Sequence, residues 1–268
     1  MRGGSLTVAI ILGGISLAPL FSQERPDSKG KQVVDAAINA LGGDHFLQMQ
    51  TRMASGRIYS FFHDQMSGLD RATIYTEYLS PKPADGLAIR ERELLGKKGD
   101  YSYLFLPDQG WDITFRGARQ VPDETWQRYR RTTYNDILYL LRTRRNEPGM
   151  DFDYVSNEVY LSRHVDIVDI TDQTGQTIRV YFDFNTKLPV REIYTWLDPV
   201  LKERNEEISV FDKYRDIGQD IQWPYSIERE RNGYKTYQLF AEKAEANVAV
   251  PPKTFDLPPG VRMLKKVN

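Results

Sequence analysis

Cysteine is absent from the 268 residues, histidine occurs only three times, and charge of neither sign is in excess, the formal net charge being −1. Each absence excludes something. Without thiols the chain can build no disulfide framework, carry no acylated N-terminal cysteine and use no thiol nucleophile. His45, His63 and His164 lie far apart, and none belongs to a paired histidine-glutamate metal motif, so zinc hydrolysis is not expected. A balanced charge gives no global field to recruit nucleic acid or an acidic membrane. The chain also lacks a Gly-x-Ser-x-Gly elbow, a phosphate-binding loop and a glycine-rich dinucleotide fingerprint. The reading is therefore of a protein with no catalytic residue, no metal, no cofactor and no nucleic-acid partner.

Long apolar runs are scarce as well. One runs from Leu6 to Phe21, after Arg2, broken by Gly13, Gly14 and Pro19 and followed by the polar Gln23 to Pro26. A spanning helix needs about 20 apolar residues, so residues 1–22 read as a secretory signal cleaved near Ser22, with an uncleaved anchor as the alternative. Residues 23–268 are expected to form one exported domain, able to bury a real core at 40% hydrophobic content. Sixteen tyrosines suit broad sheet faces, where a ring covers apolar surface while its hydroxyl reaches water.

What is plentiful is period-two alternation. In Thr177 to Phe184, the residues Ile178, Val180, Phe182 and Phe184 share one face, while Thr177, Arg179, Tyr181 and Asp183 share the other. Asn185, Thr186 and Lys187 form a turn, and Leu188 to Trp196 resumes the extended pattern. Further strands are expected at Ile208 to Tyr214, Tyr225 to Arg231 and Tyr234 to Lys243. The last two flank Asn232-Gly233, a pair that accepts the positive φ of a type I′ turn. No crossover helix fits between these strands, so the sheet must be antiparallel. Upstream, Gly56 to Phe62, Arg71 to Leu79, Leu87 to Leu95, Tyr101 to Leu106, Trp111 to Arg116 and Val159 to Ile170 read as strands between Gly and Pro punctuation.

Two helices interrupt the strands. The first is expected over Lys29 to Leu41, capped by Ser28 and ended by Gly42-Gly43, with Val34, Ala37, Ile38 and Leu41 on one face. The second starts at Pro122-Asp123-Glu124 and is expected to reach Arg145, with Trp126, Tyr129, Thr133, Ile137, Leu140 and Leu141 as its apolar stripe. Its arginines, Arg128, Arg130, Arg131, Arg142, Arg144 and Arg145, read as a solvated face rather than as phosphate binders.

Two strands alternate charge: in Ile89 to Glu93, Glu91 and Glu93 are interleaved with Arg90 and Arg92, and in Ile227 to Arg231, Glu228 and Glu230 are interleaved with Arg229 and Arg231. Carboxylates two apart on a strand share a face at about 7 Å, within the range glycosidases use. Interleaving with arginine points instead to solvent-exposed ion pairs and edge protection.

Certain segments carry a resemblance to a known family. They are the ALGG helix end at Ala40 to Gly43, the strand VYFDFNTKLPVREIY at Val180 to Tyr194, the Trp223-Pro224 strand opening, and the close from Asn247 to Pro258. Taken in order they resemble the periplasmic outer-membrane lipoprotein-sorting proteins of the LolA and LolB-like superfamily. The resemblance implies an α+β fold: a curved antiparallel sheet forming an incomplete β-barrel, with helices covering the open concave side. It also implies a periplasmic, monomeric, non-enzymatic carrier of lipid or lipoprotein acyl chains, working between membrane donor and acceptor proteins. On that reading Val180, Phe182 and Phe184 of the sheet and Trp126, Tyr129, Ile137 and Leu141 of the helix surround the ligand, each buried acyl CH₂ contributing about 0.8 kcal/mol. Two other readings stay open. In one, the same scaffold is an interaction or sensor module whose concave face is filled by its own side chains; in the other, sheet carboxylates hydrolyse a substrate.

Overall fold

The computed structural model describes residues 28–80, 86–97, 99 and 101–266; the expected leader at 1–22 lies outside them. Helix α1 (Lys29–Leu41) forms where its spacing predicts. The Ser28 hydroxyl accepts the Lys31 amide at 3.2 Å, and Gly42, at a φ of 124° that favours glycine, ends the helix. Val34, Ala37, Ile38 and Leu41 are its buried face. Gly30 lets α1 approach the sheet closely, because a Cβ there would stand 2.2 Å from the Phe152 carbonyl oxygen.

A short α2 (Asp44–Gln48) leads into β1 (Thr51–Phe62), β2 (Gln65–Tyr78), β3 (Ile89–Leu95), β4 (Tyr101–Phe105), β5 (Gly110–Thr114) and β6 (Gly117–Gln120). After the helical segment come β7 (Asp151–Tyr160), β8 (Arg163–Thr171), β9 (Thr177–Asp183), β10 (Pro189–Leu197), β11 (Arg204–Asp216), β12 (Gln222–Arg231) and β13 (Tyr234–Ala246). Among the described residues these thirteen strands make one antiparallel sheet in the order β6-β5-β4-β3-β2-β1-β13-β12-β11-β10-β9-β8-β7. The first and last strands meet in its middle, Arg52 opposite Ala246. The outer strands β6 and β7 do not pair, so the sheet curls without closing.

Two expected elements take another form. The run expected as one strand from Val159 to Ile170 folds at Leu161 and Ser162, both at positive φ, into the β7–β8 hairpin. The helix expected through Arg145 is α3 (Asp123–Asn135), which stops at Asp136, where ψ is 126°. Asp136 then caps the next turn, α4 (Ile137–Tyr139), its carboxylate accepting the amides of Leu138 at 3.0 Å and Tyr139 at 3.1 Å. A π-helical turn, Leu140–Arg144, follows. This break splits the expected apolar stripe, sending Trp126 and Tyr129 one way and Ile137, Leu140 and Leu141 another.

The arginines of this segment are also not one solvated face. Arg144 is 1% exposed; it donates to Asp172 at 2.9 Å, Glu147 at 3.0 Å and the Tyr134 carbonyl at 2.9 Å, and lies over the Tyr134 ring. Arg142 donates its Nε–H to the Met49 carbonyl at 3.1 Å. Both tie the segment to its surroundings rather than solubilise it.

The principal core continues from Tyr78, Ile89 and Trp223 on one side of the concave face to the other, where the space is filled. There α1, α4 and the π turn pack on Val168, Ile170, Ile178, Val180, Phe182, Tyr194 and Phe211 of β8 to β11. Over the other half α3, with Leu138 and Tyr139 of α4 at its edge, leaves a hollow.

Candidate functional site

The hollow is a cavity of about 500 Å³ between α3 and the concave faces of β1 to β4 and β11 to β13. Its rings come from separate elements: Phe61, Tyr103, Phe105 and Tyr237 from the sheet, Tyr129 and Tyr139 from the helices, Trp223 from β12. Phe105 and Tyr129 stack, their centroids 3.7 Å apart and their planes at 8°, which fixes α3 over β4. Trp126 stacks beside them, 5.9 Å from Tyr129.

The charged side chains of the wall follow from strand phase. On β3 the residues facing inward are Ile89, Glu91 and Glu93; on β12 they are Ile227, Arg229 and Arg231. The two alike sequences, Ile89 to Glu93 and Ile227 to Arg231, thus put acid inward on one strand and base inward on the other. Their complements face out, Arg90 pairing with Glu77, and Glu228 with Lys235 at 2.6 Å. The expectation that Glu91 and Glu93 are exterior ion-pair residues is overturned, because period-two alternation says that they share a face but not which one.

Around the glutamates runs a partial network. Arg52 Nη2 donates to Thr76 Oγ1 at 2.9 Å, and Thr76 donates on to Glu91 at 2.9 Å. Arg229 stands 3.8 Å from Asp136, and Glu192, behind it, accepts the Ile137 amide at 2.7 Å. At the β11 side Glu207 accepts Arg231 at 2.7 Å and the Trp196 indole at 3.3 Å, while Arg131 lies 3.5 Å over the Trp196 ring. The Nε–H groups of Arg52 and Arg229 are buried with no hydrogen-bond partner.

Enclosure shifts the acids upward. Burial, then the charge of Glu91, pushes Glu93 up to about 8 against the opposing pull of Arg229. Burial raises Glu91 too, with Arg52 and the Thr76 hydroxyl restraining it. Asp136 is raised by burial and restrained by Arg229 and the amides it caps. Glu192 is driven well above the carboxylate range by burial and then by Asp136.

Of the residues expected to surround a ligand, Tyr129 lines the cavity and Trp126 backs it. Val180, Phe182, Ile137 and Leu141 lie in the packed core of the other half, at 0 to 1% exposure. Phe184 leaves the alternation altogether: β9 ends at Asp183, and Phe184 is 48% exposed with the Lys187 ammonium 4.2 Å above its ring. Sequence reasoning missed Arg52, Glu91, Glu93, Phe105 and Arg229 as cavity residues. The available signal was the isoleucine opening both charged strands, since an inward Ile89 or Ile227 carries the residues two and four further on inward with it. Among the described residues no group of histidines and carboxylates is arranged to hold a metal ion.

An open antiparallel sheet, curled around a concave face and roofed by helices, defines the LolA-like fold. The sequence itself matches no family model and no curated protein. Solved structures carry the likeness. Over 85% of its length the chain superposes on a DUF1329 family protein from Desulfovibrio piger, covering 97% of that chain with a TM-score of 0.57 at 12% identity. It is similar over 85% of its length to a domain described as an outer membrane lipoprotein-sorting protein from Vibrio parahaemolyticus, covering 97% of it with a TM-score of 0.55 at 9% identity. A LolA superfamily protein from Nitrosomonas europaea is matched with a TM-score of 0.51 at 11% identity, over 85% of this chain and 98% of that one. At these identities the shared property is the fold.

Proposed function

We propose that this protein binds and carries a lipid-like amphiphile, without chemistry on it, in the cavity under α3. The observation that carries the reading is the wall itself: rings from the sheet and α3 enclose about 500 Å³, within the size of small-molecule sites, while unpaired polar groups converge on the same space. Apolar chains would lie along Phe61, Phe105, Tyr129 and Ile227, and the polar end would meet the charged strands. The lipoprotein-sorting description of one related fold supports the same class. Residues 1–22 support export to the periplasm, where such a carrier would pass its cargo between membrane-bound partners.

The expected pocket is relocated in this reading, from the β9 face to the β3–β12 side. Mass spectrometry of lipids retained through purification from the periplasm tests it, with Ile227→Asp as the control. A retained amphiphile that the substitution removes supports the carrier; no amphiphile, or one indifferent to Ile227→Asp, sinks it.

One observation favours a second reading. Glu91 and Glu93 share a cavity, as a hydrolytic pair must. Such a pair needs one ionised and one protonated member, whereas burial raises both here. Turnover of aryl glycosides or esters that Glu93→Gln abolishes would establish it over the carrier.

A further inference from the structure

The two charged strands face each other across the hollow, yet among the described residues no ion pair joins Glu91 or Glu93 to Arg229 or Arg231. Arg231 is taken by Glu207, while Arg229 stands 3.8 Å from Asp136 and lies over the Tyr237 ring. Its Nε–H, like that of Arg52, is buried without an acceptor. Enclosed charge left this way is costly unless something completes it. A ligand with one charge would complete one wall only: an anion meets Arg229 and Arg52 but offers nothing to Glu91 and Glu93, and a cation does the reverse.

From this geometry we infer that the cavity selects a zwitterionic amphiphile, whose head carries an anionic phosphate and an ammonium group together. The inference rests on the carrier reading and names its ligand class. The phosphate meets Arg229 and Arg52, guanidinium groups whose free N–H donors suit phosphate oxygens. The ammonium meets Glu93 and Glu91, beside the faces of Tyr103, Phe105, Tyr129 and Tyr237, where ring quadrupoles attract a cation. The rings near the acids are what an anion site would lack. Glu93, protonated at neutral pH in the empty cavity, would release its proton as the ammonium arrives, so binding strengthens as pH rises toward 8.

Tryptophan fluorescence gives the readout, because Trp223 lines the cavity and Trp126 adjoins it. The full mature chain is titrated, below their micellar concentrations, with myristoyl lysophosphatidylethanolamine, myristoyl lysophosphatidylglycerol and dodecyltrimethylammonium, and with free phosphoethanolamine. The expected result is a preference of at least tenfold for the zwitterionic lysolipid over either singly charged amphiphile, with phosphoethanolamine alone far weaker. Glu93→Gln should remove the preference while leaving the anionic lysolipid unaffected, and Arg229→Gln should weaken both phosphate-bearing lysolipids. An anionic amphiphile bound as tightly as the zwitterion by the unmodified protein overturns the inference and leaves the carrier standing. Free phosphoethanolamine binding as well as the lysolipid overturns the amphiphile. If no probe binds, the carrier reading falls with it. The wild-type ranking decides even if a variant fails to fold.

Discussion

The two halves of the concave face use the same strand grammar and come to opposite ends. Under β8 and β9, inward positions are Val168, Ile170, Ile178, Val180 and Phe182, and the apolar side of the segment after Asp136 meets them, so the space is filled. Under β1 to β4 and β12, inward positions include Arg52, Thr76, Glu91, Glu93 and Arg229, and α3 presents Tyr129, Thr132, Thr133 and Arg128. Charged and hydroxyl side chains do not pack dry, so the second half stays hollow. A concave sheet is therefore not a pocket by shape alone. The residues opposite each strand decide whether it becomes core or cavity.

The strongest way to break this comparison is to put the same substitution on both sides. Phe182→Asp places an unpaired carboxylate in close-packed surroundings and should cost more than about 4 kcal/mol, preventing folding. Ile227→Asp, on the cavity wall, should cost under about 2 kcal/mol. Urea unfolding followed by circular dichroism measures both; equal costs would mean that the hollow half is not a distinct environment.

Arg144 tests the anchor between the halves. Arg144→Ala leaves Asp172 buried against Thr174 with its cationic partner gone, and should cost about 3–5 kcal/mol. The sign with pH is set by Asp172. Burial alone would raise it, but hydrogen bonds from Thr174, Arg144 and the Thr174 and Gln176 amides hold it below the ordinary value. Its stabilisation is present above the unfolded pKa and is lost as acid protonates it in the folded state, so the wild type should lose part of its advantage over the variant at low pH.

Glu93 has the opposite sign. Its folded pKa of about 8 lies above the ordinary 4.5, so between those values the unfolded chain gives up a proton that the folded one keeps. Stability should fall as pH rises through that window, by at most about 1.4 kcal/mol per pH unit, and flatten above 8. Melting temperatures of the wild type and Glu93→Gln across pH 5 to 9 measure it; an identical slope in both would refute the assignment.

The smallest effect on stability is expected from filling the hollow. Ile227→Trp should change unfolding free energy by less than about 1 kcal/mol while eliminating retained amphiphile. A large loss of stability would mean that the cavity is already packed.

Most of the sheet was legible because alternation and turn residues act locally. Asn232-Gly233 marks the β12–β13 hairpin on composition alone, and Ser28 and Gly42 bracket α1. What escaped depends on partners distant in sequence. The Leu161-Ser162 turn has no glycine to announce it. The Asp136 break needs Glu192 on β10, which accepts the Ile137 amide freed there. The inward side of β3 and β12 is set by their places in the sheet, so matching isoleucines mark one face but not which face is concave. Exposed Phe184 shows the reverse error, a local pattern continued one residue past the point where the Asp183 carboxylate caps the following turn.

The meeting of β1 and β13 at the centre of the sheet has a consequence for when this protein becomes competent. Arg52, Thr76 and Glu91 belong to the early strands, Arg229 and Tyr237 to the late ones, and the seam between them forms only when residues near Ala246 pair with those near Arg52. Contacts so distant along the chain are slow to form. A chain folding from its N-terminus would therefore have no cavity until almost its last strand was available to pair.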